Sequence, residues 1–384
     1  MQTQHSEFVF RVINIFFCLL WGGQMSIVDD TKKFEDWLRR RCHVVEEGLR
    51  EKHDLMASDQ FKFFRSTCYR FARKTRELLP DVGNARLVPS VGDAHVENWG
   101  TWRDGEGRLV WGVNDFDDAA LLPCTYDLLR LAASARLSGQ VSGSPKDQAS
   151  AILNGYNDGL SKPGPQFIDI DVPWMEDLAR HLAPSPSKFK KKLENAKTAN
   201  PPAEVTEALL DQLPSGAKLI AYHKWQKGGG SLGRPRYVAH AEWRSGLVAR
   251  EAKALVPSSW DFDEGVEEAA TLFLNVATGR YRSPDPFLSL RSGYIVRRIA
   301  QDSQKLDADE ALTDANSLAW LSAMGRDLAA IHVSGRATKD EIVADLKKLK
   351  EDGLVKGTEV ALQQVQKDFR VWCEHHASNS GGAS

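Results

Sequence analysis

Helical periodicity dominates the first part of the chain. Between residues 30 and 80, apolar side chains such as Phe34, Trp37 and Leu38 recur three or four positions apart among many Arg and Lys residues, as they do in amphipathic helices. Asp29 or Asp30 is the expected N-cap of the first of these helices. Similar patterns predict further helices over residues 126–137, 147–160, 262–278 and 311–334, and one or two charged helices near the C-terminus.

Strand-like patterns fall in two regions. Residues 86–122 contain short pieces around two polar clusters, residues 218–255 contain three successive strands, and another strand covers Gly293–Ile299. Residues 161–215 are rich in Pro and Lys, which indicates a seam between two parts of the molecule. The predicted organisation is an N-terminal extension (1–25), a helical lobe with both polar clusters (26–200), a small antiparallel-sheet lobe (201–300) and helices that complete the large lobe (301–376).

The composition is that of a globular protein. Of the 384 residues, 42% are hydrophobic, and 50 Lys and Arg nearly balance 52 Asp and Glu. This excludes a disordered or collagen-like chain, and the net charge of -2 provides no basic field for nucleic acid. The five cysteines form no C-x-x-C pair, so we expect a reducing, cytoplasmic setting without a disulfide framework or zinc ribbon.

The N-terminus carries an apolar stretch, Phe8–Gly23, interrupted by Arg11 and Asn14. It is short for a membrane span. Residues 1–7 contain no Lys or Arg and no small-residue cleavage site follows, so an export or anchoring signal is the less favoured alternative. We expect an extension outside the fold, with Met25 as a candidate start, and no stable membrane association.

Two polar clusters carry candidate chemistry. In VGDAHVENWG, Asp93 precedes Asn98 by five positions, as in phosphoryl transfer, where the carboxylate orients an attacking hydroxyl and the amide oxygen binds Mg²⁺. In LVWGVNDFDD, an apolar strand delivers Asp115, as a Mg²⁺ site that bridges nucleotide phosphates needs. The alternative is two polar hairpin loops whose Asp and Asn residues only form turns. Two acidic clusters one hairpin apart favour the metal–phosphate site.

A Gly-rich segment, KGGGSLG, joins the first two strands of the second region. Glycines let a backbone approach phosphates closely, although such a segment is also a good flexible turn. The residues that would contact phosphates are Gly228, Gly229, Gly230, Ser231 and Gly233.

The third strand of that region supplies a cation. Arg250 and Lys253 lie on opposite faces of the strand because strand side chains alternate, and either residue could pair with nucleotide phosphates. The helix predicted over 262–278 offers Glu264, Glu267 or Glu268 as the partner of that cation, with Glu267 as our choice. For any single one of these glutamates, a solvated acidic face is the favoured interpretation.

These motifs resemble known families. GDAHVENWG resembles the G-D-x-H-x-x-N catalytic loop of the aminoglycoside phosphotransferase-like branch of the protein-kinase fold, and NDFDDA resembles its metal-binding I-D-F-x-x-A strand end. Over most of its length the chain also resembles an uncharacterised bacterial family, domain of unknown function 2252, whose members share GDAHxxNFG, a DFDE-like segment and a D-x-x-R-L-A-A-S helix. Asp127, Arg130 and Ser134 match that helix, whereas Trp99 stands where Phe is common.

The resemblance implies roles for several residues. Asp93 would be the catalytic base, Asn98 and Asp115 the metal ligands, and His95 a loop-stabilising or substrate-contacting residue. Asp127 would hold the catalytic hairpin through backbone hydrogen bonds, while Arg130 would pair with an acidic loop residue.

The order of the motifs differs from that of an ordinary kinase. There the Gly-rich loop and the cation strand precede an L-A-x-L-H helix end, which leads directly into the G-D-x-H loop. Here the catalytic hairpin (92–118) comes first, the small-lobe motifs (227–299) follow, and LAAIH (328–332) comes last. We therefore expect an α+β, kinase-like two-lobed fold that is circularly permuted, which an exposed cut point tolerates. The alternative is that the Gly-rich strands are an unrelated module.

The resemblance implies an enzyme, an ATP- and Mg²⁺-dependent phosphotransferase whose partners are a nucleotide and an unidentified, small-molecule acceptor. A nucleotide-binding pseudokinase or scaffold is the non-enzymatic alternative. G-D-x-H is also a fragment of the calcineurin-like metallophosphoesterase pattern, but the G-N-H-[DE] and G-H-x-H elements that such two-metal chemistry requires do not occur in the sequence.

Overall fold

The structure, a computed structural model, describes residues 25–182, 185–225, 229–265, 272–300, 303 and 312–380. The apolar stretch Phe8–Gly23 and the predicted extension therefore lie almost wholly outside the described residues. The described α-helices are α1 (Ile27–Arg39), α2 (Glu46–Ser58), α3 (Gln60–Ser66), α4 (Cys68–Leu78), α5 (Cys124–Ser138), α6 (Pro145–Ser161), α7 (Glu176–Leu182), α8 (Pro186–Glu194), α9 (Ala203–Leu210), α10 (Ser259–Glu264), α11 (Phe273–Ala277), α12 (Ser317–His332) and α13 (Lys339–Ser380). The strands are β1 (Leu87–Ser90), β2 (Trp99–Arg103), β3 (Leu109–Val113), β4 (Ala120–Pro123), β5 (Gln166–Phe167), β6 (Lys218–Lys224), β7 (Arg236–Trp243), β8 (Gly246–Ala254), β9 (Ser289–Arg291) and β10 (Tyr294–Ile299).

The strands form three antiparallel sheets. β1 pairs with β4, β2, β3 and β5 form a second sheet, and the largest sheet has the order β6-β7-β8-β10-β9. The mixed α/β class is therefore confirmed. The largest sheet places β8, the strand with both candidate cations, in its centre.

The first helix begins one turn earlier than the acidic pair suggested. Ser26 is the N-cap of α1, because its Oγ accepts a hydrogen bond from Asp29 N at 3.1 Å. Asp29 and Asp30 instead occupy the first turn, where the helix dipole stabilises negative charge. Asp30 is buried and pairs with Arg70 at 2.5 Å, which ties α1 to α4.

Two predicted features need correction. The helix predicted over 262–278 is divided: α10 ends at Glu264 because Gly265 adopts a left-handed conformation (φ 68°), and α11 begins only at Phe273. The Pro- and Lys-rich residues 161–215 are not merely a seam, since they contain α7, α8 and α9. α9 covers one face of the large sheet by packing Val205 and Leu209 on Ala252.

The helical part surrounds the hairpin formed by β2 and β3. The axes of α6 and α12 approach closely because Gly155 and Gly325, which lie at the crossing, have no side chains. A Cβ at either position would collide with the backbone of the other helix. α13, which is kinked at Lys350, packs along α5 and α6. Among the described helices, none combines the length and the apolar character that a membrane crossing requires.

Candidate functional site

A cleft of about 720 Å³ opens between the large sheet and the β2–β3 hairpin. Asp115 and Asp117 line it from the segment after β3, Glu251 and Lys253 line it from β8, and Arg297 lines it from β10. The two acidic residues of the hairpin and the lysine of the sheet thus share one cavity, although they are far apart in sequence. Charged groups that converge in a concave site mark a candidate binding site.

The loop after β1 is held by a buried carboxylate. Asp127 at the start of α5 accepts hydrogen bonds from Val91 N at 2.7 Å and from Gly92 N at 2.9 Å. Gly92 has φ +77°, and a Cβ at this position would collide with the Asp118 carbonyl. The geometry confirms the predicted anchoring role of Asp127 and explains why glycine precedes Asp93.

The same carboxylate joins the loop to the end of α12. His332 Nε2 lies 3.0 Å from Asp127 Oδ2, and His332 Nδ1 lies 2.7 Å from Tyr156 Oη. The LAAIH segment therefore ends beside the start of the Gly92 loop. All three side chains are buried, so the network fixes the loop rigidly.

Asn98 presents a buried amide oxygen. Its Nδ2 donates hydrogen bonds to Asp93 O at 3.1 Å and Asp115 O at 2.9 Å, which sets the orientation of the amide. Asn98 Oδ1 is buried, and no hydrogen-bond partner for it lies among the described residues. A buried acceptor without a partner is costly, and a bound cation would satisfy it.

Lys253 meets both carboxylates of the NDFDD segment. Its Nζ lies 3.1 Å from Asp115 Oδ2 and also contacts Asp117. Arg234 Nη1 reaches Asp117 Oδ2 at 2.9 Å, but Asp117 Oδ1 is buried and has no partner within the part of the chain that the structure describes. Burial and the nearby charge of Asp115 raise the pKa of Asp117, against the opposing effects of Lys253 and Arg234. A divalent cation would relieve the repulsion between the two carboxylates.

These groups fit Mg²⁺. No group of three or more His, Cys, Asp and Glu side chains that could hold a metal by itself occurs among the described residues. Mg²⁺, however, is commonly bound by one or two carboxylates together with water and substrate phosphates. Asn98 Oδ1, Asp115 and the free oxygen of Asp117 supply oxygen donors of this kind.

Asp93 is held by a buried arginine. Arg130, which is fully buried, places Nη2 2.5 Å and Nε 2.6 Å from Asp93 Oδ1, and this confirms the predicted pairing of Arg130 with an acidic loop residue. Burial raises the pKa of Asp93, although Arg130 opposes the shift. The side chain keeps 18% of its surface exposed. His95 is buried, with Nε2 3.8 Å from Asp93 Oδ2, which suits a loop-stabilising role.

The structure distinguishes the two candidate cations. Arg250 lies on the other face of β8, where it donates to Gln212 O at 2.7 Å and covers the ring of Phe287. Lys253 is the cation at the site. Of the predicted glutamate partners, Glu264 pairs with Arg76 at 2.8 Å, and Glu267 and Glu268 lie outside the described residues.

Glu251 forms ion pairs with two arginines of the large sheet. It lies 3.1 Å from Arg236 Nη1 and 2.7 Å from Arg297 Nε. Burial disfavours its charge, but Arg297 and Arg236 outweigh burial and lower the pKa of Glu251 to about 2. The face of the sheet that lines the cleft therefore carries ordered, ionised groups.

The Gly-rich segment lies beside these groups. Gly229 and Ser231 line the cleft, and Gly230 and Gly233 belong to the same turn. Gly228 lies outside the described residues. Arg236 Nη2 donates to Ser231 Oγ at 2.9 Å, which connects this turn to Glu251.

Sequence reasoning missed Asp117, Arg234, Arg236 and Arg297. Alternation along β8 places Glu251 and Lys253 on one face, and the same reasoning applied to β7 and β10 could have found the two arginines of the sheet. The contact of Arg234 with Asp117 joins segments that are 117 residues apart, and neither sequence segment indicates it.

A family described as "Uncharacterized protein conserved in bacteria (DUF2252)" matches residues 41–162. The match covers about a third of the chain. It contains Asp93, Asn98 and Asp115 but not the Gly-rich segment or Lys253. No curated protein and no solved structure matches the chain.

Proposed function

We propose that the protein is an ATP- and Mg²⁺-dependent phosphotransferase with a circularly permuted, kinase-like arrangement, acting on a small-molecule acceptor. The observation that carries this proposal is the meeting of Lys253 Nζ and Asp115 Oδ2 at 3.1 Å across 138 residues. One bound Mg·ATP must touch a metal-binding carboxylate and a phosphate-binding cation together.

The positive charges of the cleft are suited to binding a nucleoside triphosphate. Lys253, Arg234, Arg236 and Arg297 surround the acidic groups, and Mg²⁺ would add further positive charge and bridge the phosphates. Lys253 would then leave its carboxylates to pair with phosphate oxygens. Asn98 and Asp115 would hold the metal, with Asp117 as an additional ligand.

Asp93 would act on the acceptor. As the acceptor oxygen bonds to the γ-phosphorus, the bond from that phosphorus to the bridging oxygen of ADP breaks, and Asp93 takes the hydroxyl proton. The hydrogen bonds of Asp127 fix the loop that presents Asp93, and a fixed geometry is the main contribution a protein makes to this reaction.

Arg130 gives the pseudokinase alternative a specific basis, because it already occupies Asp93 Oδ1. Transfer of label from γ-labelled ATP distinguishes the two. With Mg²⁺ and a pool of small-molecule metabolites, the wild type should label an acceptor or release phosphate slowly. Asp93→Asn should retain ATP·Mg²⁺ binding, measured by thermal shift, and lose about 10²- to 10⁴-fold in rate.

Binding by both proteins without transfer by either would establish the pseudokinase. Equal rates of transfer by the wild type and Asp93→Asn would show that Asp93 takes no part in the reaction.

A further inference from the structure

Helix α2 crosses the end of the Gly-rich turn with almost no space between the two backbones. A Cβ on Gly48 would lie 2.7 Å from Gly233 N and 3.1 Å from Gly233 Cα. Real Cβ atoms do not approach a backbone this closely, so only glycine fits at position 48. Val45 N, at the cap of α2, donates a hydrogen bond to Gly233 O at 2.8 Å.

The other side of the crossing is equally constrained. Gly233 has φ +90°, and a Cβ there would collide with the Leu49 side chain. Glycine is a weak helix former, and Gly48 is nevertheless found in the first turn of α2. The close approach to Gly233 explains its presence.

The beginning of the turn rests on α3. A Cβ on Gly229 would lie 3.2 Å from Ser66 Oγ, and one on Gly230 would lie 3.1 Å from Arg65 O. Both ends of the turn therefore lie against the α2–α3 pair, which is distant in sequence. Arg234, directly after the turn, then reaches Asp117 at 2.9 Å.

We propose that Gly48 is a positioning residue that seats the Gly-rich turn over the nucleotide phosphates. This inference rests on the proposed function. Gly48 allows α2 to approach the turn, the hydrogen bond from Val45 fixes its far end, and Arg234 links it to the metal-binding carboxylates. Helix α2 is thus part of the phosphate site through its backbone contact with the turn.

The test is Gly48→Ala, with Gly105→Ala as the matched control because a Cβ at Gly105 meets no atom within 4 Å. Calorimetric titrations would use ATP·Mg²⁺ and adenosine as probes. The added Cβ moves the turn away from the phosphates. We expect a loss of roughly 10- to 100-fold in ATP·Mg²⁺ affinity, as for lost hydrogen bonds to charged groups. Adenosine affinity should stay close to that of Gly105→Ala, whereas the melting temperature without ligand should fall because the contact with Gly233 must loosen.

Equal ATP·Mg²⁺ affinity in Gly48→Ala and wild type would overturn this inference and leave the proposed function intact. An equal loss for adenosine would also overturn it, because the effect would then not be specific to phosphates. Failure of the wild type to bind ATP·Mg²⁺ would overturn the proposed function and this inference together. Should Gly48→Ala not fold, hydrogen exchange of the wild type decides: ATP·Mg²⁺ should slow exchange of the Val45 amide, and an unchanged rate would overturn the inference.

Discussion

At the scale of single residues, Lys253 is the group that balances the acidic end of the cleft. Its side chain is only 4% exposed, and it contacts Asp115 and Asp117 together. Removal of one member of a buried ion pair leaves uncompensated charge, which costs far more than the pair itself contributes. The lysine is therefore both a structural ion-pair partner and the proposed phosphate-binding group.

Lys253→Met should separate these two roles. We expect the free energy of unfolding without ligand to fall by about 3 kcal/mol, and Mg²⁺ alone should restore part of it by neutralising the two carboxylates. ATP·Mg²⁺ stabilisation should be weak. Denaturant titrations with and without Mg²⁺ measure both effects, with Arg250→Met, on the other face of β8, as the control. If Mg²⁺ restored none of the lost unfolding free energy, the metal would not bind at these two carboxylates.

Glu251 gives a pH signature. Its pKa in the folded protein is about 2, below its ordinary value of 4.5, so its charge stabilises the fold above pH 4.5, and this contribution is lost as the pH falls towards 2. The wild type should exceed Glu251→Gln in unfolding free energy by about 3 kcal/mol near pH 6, and the difference should shrink below pH 4.5. A difference that does not change with pH would contradict the assigned ion pairs.

At the scale of elements, helices α5, α6 and α12 together hold the Gly92 loop through the carboxylate of Asp127. Asp127 accepts hydrogen bonds from Val91 N and Gly92 N and contacts His332, so the position of the Gly92 loop depends on how three helices pack. The glycine crossing of α6 and α12 determines where His332 lies relative to Tyr156.

Asp127→Asn tests this dependence. One amide oxygen cannot replace two carboxylate oxygens, so a buried backbone N–H loses its partner. The free energy of unfolding should fall by about 1–3 kcal/mol, and ATP·Mg²⁺ affinity should fall because Asn98 shifts with the loop. The control is Asp36→Asn, which removes one member of an exposed ion pair on α1. Wild-type stability in Asp127→Asn would show that Asp127 does not anchor the loop.

Elements with a strong local signal were predicted well. The apolar period of α5 and α12 and the alternation of β7 and β8 lie within each segment, and the structure has these elements close to the expected positions, although α12 begins at Ser317 rather than at residue 311. The division of the 262–278 helix was missed because it depends on the left-handed conformation of Gly265. The three helices of 161–215 were missed because Pro and Lys content obscured short amphipathic patterns, and α8 and α9 bury their apolar residues only by packing on the sheet.

At the scale of the whole molecule, motif order correctly predicted the meeting of the sheet with the hairpin. That prediction was based on the argument that one nucleotide would have to contact both. It did not give Asp117 as a partner of Lys253, because that contact joins segments that are distant in sequence. The seating of the Gly-rich turn on α2 was likewise beyond reach, since no motif marks Gly48.

The central claim is that Mg·ATP binds between Lys253 and the Asn98–Asp115 pair. Calorimetric titration of ATP into the wild type and Asp115→Asn, each with Mg²⁺ or with EDTA, tests it most directly. We predict saturable binding by the wild type that requires Mg²⁺, and at least a tenfold loss in Asp115→Asn, about 1.4 kcal/mol or more, with the variant still folded without ligand. Binding by Asp115→Asn equal to that of the wild type, or no binding of ATP by the wild type in Mg²⁺, would contradict the claim.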